Sequence, residues 1–141
     1  MEIKVKEKEL RQLKSPELVA RFLIDLLALE SEIDRDKEHF WVIGMNRKLT
    51  VKYVELATLG TQNASIWSPT IVFRLGIAKA IEQIIVAHNH PTGDVTPSVE
   101  DRTTYDKLRQ AGEILQIHVI DHIIIGSNKF YSIAKNEESF I

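Results

Sequence analysis

A chain of 141 residues, 44% apolar and 27% charged, is long enough for one compact domain with a real core. Its formal net charge of −2 gives no global electrostatic footprint for nucleic acid, so charge lends DNA binding no support. With no cysteine it can build neither disulfides nor thiolate metal sites, and no apolar stretch approaches the ~20 residues a membrane span needs.

The N-terminus, Met-Glu-Ile-Lys-Val-Lys-Glu-Lys-Glu, lacks the apolar core of a secretory signal, and the chain reads as cytoplasmic. Residues 1 to 14 are rich in Lys and Glu around Ile3, Val5, Leu10 and Leu13, a pattern for a short strand or an arm leading into a helix. Ser15-Pro16-Glu17 is a helix start, with Ser as N-cap and Pro in the first helical position. Leu18, Val19, Phe22, Leu23, Leu26 and Leu27 then recur at helical spacing and predict one buried stripe. The mixed-sign cluster Glu30 to Lys37 reads as a solvated connection, since interaction tails are usually blocks of one sign.

From Phe40 the pattern turns to β. Phe40 to Ile43 and Leu49 to Leu59 bracket Asn46-Arg-Lys and predict a hairpin. Ser68-Pro69 opens a second helix, with Ile71, Val72, Leu75, Ala78 and Ala80 as its packing side. A strand over Ile84 to Ala87 follows, then a helix from Pro97 to Ala111 with Thr96 as its N-cap, and a strand over Ile117 to Ile125. A Gly126-Ser-Asn turn leads into Phe130 to Ala134. Helices alternating with strands imply an α/β (α+β) fold, a mixed sheet sandwiched by helices. The expected division is an arm and amphipathic helix over 1–37 and one domain over 38–141.

His88 and His90 follow the apolar run Gln83 to Ala87, where a buried strand ends, and their i, i+2 spacing points both imidazoles to one face. Asp101 falls on the first turn of the next helix, three residues after Ser98 and on the same helical face. Catalytic zinc is typically held by three nitrogen or carboxylate ligands, and His88, His90 and Asp101 supply such a set. An isolated His-x-His is weak evidence, because histidine also serves as a half-buried packing residue; Asp101 and the strand-to-helix setting strengthen it.

His88-x-His90-Pro91 followed by Ser98-x-x-Asp101 is similar to the JAMM motif of JAB/MPN-type zinc metallopeptidases. The longer string His88-Asn-His-Pro-Thr-Gly-Asp94, then Thr96-Pro-Ser-Val-Glu-Asp101 and Asp121-His-Ile-Ile-Ile-Gly126, resembles the bacterial RadC branch, from about Glu38 to the C-terminus. Thr92 stands where RadC proteins usually have Ser, and both carry a hydroxyl. The resemblance implies a JAB/MPN, cytidine-deaminase-like architecture with Zn2+ on His88, His90 and Asp101. It implies Glu38 as general base, matching the family's place on the first core strand, and Ser98 as hydrogen-bond donor to an oxyanion. On sequence alone Glu55 and Glu82 rival Glu38, and Ser98 with Asp101 also reads as a helix capping box. Pro91 and Gly93 would shape the loop between the two ends of the motif. Asp121 and His122 belong to the RadC pattern, but strand alternation lets at most one face the site; His122 reads as a supporting residue. His39 and His118 read as bystanders, and Trp41 and Trp67 as core or interface aromatics.

The function implied is a zinc-dependent hydrolase of amide, peptide or isopeptide bonds acting through a metal-activated water on an unknown protein or peptide. The alternative is a non-enzymatic metal-binding module in DNA repair or mobile-element biology. A metal-dependent phosphodiesterase is the third class, and two-metal versions of it usually need more carboxylates near the histidines. Full-length RadC-like proteins carry an N-terminal helix-hairpin-helix-like region; about 37 residues precede the core here, so no DNA-binding role carries over. The N-terminal arm could make a homodimer through a marginal strand edge, or occlude the site.

Overall fold

A computed structural model describes residues 1–3, 11–60 and 67–141; the expected apolar positions Val5 and Leu10 lie outside these. The elements in chain order are β1 (Glu2–Ile3), α1 (Pro16–Ala28), α2 (Glu32–Arg35), β2 (His39–Met45), β3 (Val51–Leu59), α3 (Pro69–Ala78), β4 (Gln83–Asn89), α4 (Val99–Leu115), β5 (His118–Ile125), β6 (Lys129–Ser132) and β7 (Glu137–Phe140). The strands form one seven-stranded sheet in the order β1-β3-β2-β4-β5-β6-β7, antiparallel except where β4 meets β5. That parallel pair needs a crossover, and α4 supplies it. The expected mixed sheet flanked by helices is therefore the observed one.

Two apolar layers divide the strands by alternation. Trp41, Ile43, Met45, Ile85, Ala87, Ile123 and Ile125 face α1, where Leu13, Val19, Ala20, Phe22 and Leu23 meet them. Phe40, Val42, Ile84, Val86 and Val119 face α3 and α4 with Trp67, Val72, Phe73 and Leu108. The pairing of β4 with β5 carries one irregularity: Ile84 pairs with Val119 but Ile85 pairs with Asp121. Skipping Ile120 shifts the alternation of β5, so Val119 and His122 share the α4 face and Asp121 turns to the α1 face.

Caps explain the helix boundaries. Ser15 and Ser68 accept hydrogen bonds from the N–H groups of Leu18 and Ile71, each with a proline at the first helical turn, as expected. The start of α4 differs from expectation: Thr96 is not the N-cap and Pro97 is not helical. The Thr96 hydroxyl instead donates to the Asp94 carboxylate, and the capping box forms two residues later between Ser98 and Asp101. The helix also runs past Ala111 to Leu115. Within it Gly112 leaves room for the chain that follows, since a Cβ there would lie 2.4 Å from the Ile117 carbonyl oxygen.

The buried stripe of α3 is Val72, Phe73 and Gly76, while Ala78 and Ala80 are exposed. In α1, Leu18 is exposed and Val19, Ala20, Phe22 and Leu23 carry the burial. The solvated connection at Glu30 to Lys37 contains the single turn α2, capped by Ser31. β7, absent from the sequence expectation, is a short edge strand bearing Glu137 and Glu138, a polar pattern that gives no apolar alternation.

Asp121 ties β5 to the turn beyond β6. Its carboxylate accepts from the backbone N–H of His122 at 2.7 Å and of Ala134 at 2.9 Å, and from the Ser132 hydroxyl at 2.5 Å. Burial raises its pKa, and these hydrogen bonds oppose the rise. Asp121→Ala strands two amides and should lose about 2–4 kcal/mol of stability, whereas Asp121→Asn keeps an acceptor and should lose far less. Urea unfolding of the two variants, compared at constant slope, checks this.

Candidate metal centre

β4 is the central strand, paired on both edges, and it ends in polar residues. His88 and Asn89 are 0% and 4% exposed, and His90 lies half-buried just past the strand. His90 is held there because its N–H donates to the Ile125 carbonyl at 2.9 Å and its own carbonyl accepts from Gly93 N–H at 2.9 Å. Gly93 takes φ +90, and Gly126 allows the loop to pass over the end of β5, since a Cβ there would lie 2.7 Å from the Gly93 carbonyl oxygen. Pro91 and Gly93 thus occupy the loop whose ends converge.

Three groups meet at this place. Nε2 of His88 and Nε2 of His90 are 2.9 Å apart, and Asp101 Oδ2 is 3.6 and 3.8 Å from them. Among the described residues these three form the group whose ligand atoms lie together closely enough, all within 4.8 Å, to hold a metal ion. Asp101 is aimed by the capping box: Ser98 N–H donates to Asp101 Oδ2 at 2.9 Å, and Asp101 N–H donates to Ser98 Oγ at 3.0 Å. The capping and carboxylate-positioning roles of Ser98 are one and the same geometry.

The chemistry of the donor set fits a cation. His90 Nδ1 faces the Asp94 carbonyl at 2.6 Å, so a neutral ring carries its proton there and leaves Nε2 bare. When His88 carries its own proton on Nδ1, two bare imidazole nitrogens and a carboxylate oxygen face one another, a set suited to a cation. Burial lowers the pKa of His88, against the pull of Asp101. Burial works against ionisation of Asp101 too, but the hydrogen bond and field of His88, whenever that ring carries a proton on Nε2, and the Ser98 N–H outweigh it and hold the carboxyl below its usual range.

Glu38 stands immediately before β2. Phe40 pairs with His88, and alternation puts Glu38 on the face of Phe40 and Val42, the face of His88. It is half-buried; burial raises its pKa, and the charges acting on it are His90, which lowers it, and Asp101, which raises it. Its two rivals lie elsewhere. Glu55 is buried on β3 and bound by Arg74 at 2.9 Å, and Glu82 precedes the opposite end of β4 and pairs with Arg47.

The sequence reading does not single out Asn89 and takes His39 as a bystander. Asn89, between the two histidines, accepts from His39 N–H at 2.5 Å and donates to the Lys37 carbonyl at 3.0 Å. His39 Nδ1 meets that same carbonyl at 2.7 Å, and its Nε2 meets Glu30 at 2.5 Å. His39 is therefore no bystander: with Asn89 and Glu30 it clamps the backbone on both sides of Glu38. A polar residue inside a buried strand was the available signal for Asn89. His118 is exposed at the far end of β5. Trp41 stacks on His39 on the α1 face, while Trp67 stacks on Phe40 at 4.1 Å and packs against His88 at 4.9 Å, so one tryptophan is core and the other also walls the site.

The family model of the RadC-like JAB domain matches residues 13–138. A UPF0758 protein of Staphylococcus epidermidis is 46% identical over 109 residues, covering 77% of this chain and 48% of its own length. One of Desulforamulus reducens is 44% identical over 107 residues, covering 76% and 47%, and one of Chlorobium phaeovibrioides is 41% identical over 105 residues, covering 74% and 47%. The chain thus spans about half the length of the curated relatives it matches.

The site predicts one divalent transition-metal ion per chain, bound through His88, His90 and Asp101. Elemental analysis after gel filtration should find that ion in the parent chain and lose it in His88→Ala/His90→Ala and in Asp101→Ala, with the far-UV circular dichroism unchanged.

Proposed function

The chain belongs to the RadC-like JAB domain family, and from that premise we propose that His88, His90 and Asp101 hold a zinc ion and that the domain hydrolyses an amide, peptide or isopeptide bond in a protein or peptide substrate. The observation that carries this reading is the convergence of two imidazole nitrogens and a carboxylate at the end of the central strand, with a half-buried glutamate on the same face. Zinc, when bound, supplies Lewis acidity that polarises a carbonyl and brings the pKa of a water down to roughly 7.

The protein's own groups supply the rest. Glu38 takes a proton from the attacking water as the C–O bond forms, and returns it to the leaving nitrogen as the C–N bond breaks. Its raised pKa brings it nearer to the working pH than an ordinary glutamate. Ser98 Oγ accepts from Asp101 N–H, which leaves its hydroxyl proton free to donate to the oxyanion that develops on the carbonyl. Phe40 and Trp67 close the floor behind His88, so the substrate approaches from the side of His90, whose side chain is 22% exposed against 0% for His88.

Cleavage is tested by incubating the zinc-loaded chain with a proteome-derived peptide library and reading new termini by mass spectrometry. Glu38→Gln should lower the rate by about 10²–10⁴-fold with zinc content unchanged. Equal cleavage by the parent and Glu38→Gln would remove Glu38 from the mechanism, and no cleavage by either would favour a metal-binding accessory module. Glu38 acts as a base only when ionised, so activity should fall as pH drops through a value above the ordinary glutamate pKa of about 4.3.

A further inference from the structure

His88 has a second contact, on the side away from Asp101: its Nδ1 lies 2.8 Å from Nε2 of His122, which is 0% exposed. A hydrogen bond between two imidazole nitrogens needs a proton on one and a bare lone pair on the other. If His88 Nε2 is to bind a metal, a neutral His88 carries its proton on Nδ1 and donates it to His122. His122 Nε2 must then be bare, and its own proton sits on Nδ1.

Among the described residues that last N–H has no hydrogen-bond partner. Phe40 and Trp67 stand edge-on around the His122 ring, each with its centroid 6.1 Å away. An unpaired buried donor is costly, and an apolar side chain would fill the same space without that cost. The opposite tautomers would place a proton on His88 Nε2, aimed at His90 2.9 Å away, where it blocks the metal.

The position also explains why the acceptor is a side chain and a neutral one. His90, past the end of the strand, finds a free carbonyl at Asp94. His88 lies inside the ladder, between Phe40 of β2 and Ile124 of β5, where strand pairing engages the neighbouring carbonyls. A carboxylate in place of His122 would bury a second negative charge beside Asp101. The skipped residue Ile120 is what turns His122 rather than Asp121 toward His88.

We propose that His122 is a positioning residue that fixes His88 in the tautomer with Nε2 free for metal. This rests on the reading of His88, His90 and Asp101 as a metal site. The test pairs two polar replacements, because the amide oxygen of glutamine falls near the place of a histidine Nε2 and that of asparagine near Nδ1. Zinc affinity is measured by competition with a chromophoric chelator, beside thermal melts, and the ring nitrogens of the zinc-loaded parent are read by 15N NMR.

The expected result is a protonated His88 Nδ1 and a bare His122 Nε2, with His122→Gln within about threefold of the parent affinity and His122→Asn about 10–100-fold weaker, at equal melting temperatures. A protonated His122 Nε2, or equal zinc affinity in parent and both variants, overturns the proposal while leaving the metal site intact. A parent chain that binds no zinc overturns the metal site itself and this inference with it. If both variants unfold, the nitrogen shifts of the parent decide alone.

Discussion

The centre depends on polar side chains being buried at the end of a strand that is itself buried on both edges and both faces. β4 is paired to β5 along its length and to β2 as far as His88, and His88 and Asn89 are buried, so each must find partners within the protein. Alternation sends them opposite ways. His88 goes to the α4 face, where Asp101, His90 and His122 surround it, and Asn89 goes to the α1 face, where it holds the backbone at Lys37 and His39. Successive residues of one strand thereby carry the ligand and the clamp on the segment that bears Glu38.

Geometry at the other side comes from helix chemistry. Asp101 is fixed because it is the third helical residue and closes a capping box with Ser98, and both bonds of that box lie within one turn of α4. The cap aims the carboxylate without recruiting any residue from elsewhere. The same bonds leave Ser98 with a hydroxyl proton to give, so in the proposed reaction one side chain would serve both a local stabilising motif and the substrate.

Much of this was legible in the sequence, because the informative patterns were local. The apolar run ending in His-x-His, the serine-proline helix starts and the hairpin all report short-range physics, and each stands in the fold. What escaped was non-local or depended on competition. Thr96 looked like the cap because Pro97 follows it, but Asp94 captured its hydroxyl. The helix was expected to end at Ala111 and runs on to Leu115, and the close approach of Ile117 that needs a glycine at 112 is invisible until the fold places it there. His39 looked idle because its partners, Glu30 and the Lys37 carbonyl, lie in a segment that reads as solvated. The phase of β5 could not be read at all, since nothing in Val119-Ile-Asp-His marks Ile120 as the residue the ladder omits.

The centre also stands at a cost to the fold that carries it. Imidazole nitrogens 2.9 Å apart, a carboxylate beside them and a buried His122 Nδ1 without a partner among the described residues are arrangements that packing alone would replace with apolar side chains. They are tolerated because the surroundings over-determine them: strand pairing holds His88, the loop over Gly126 holds His90, and the cap holds Asp101. A cation that binds the folded chain and not the unfolded one offsets that cost by mass action, so ion binding and folding stability are thermodynamically coupled at this end of β4. The rigid strands that raise the cost are also what let the ligands be set before any ion arrives, which reduces the ordering that binding must supply.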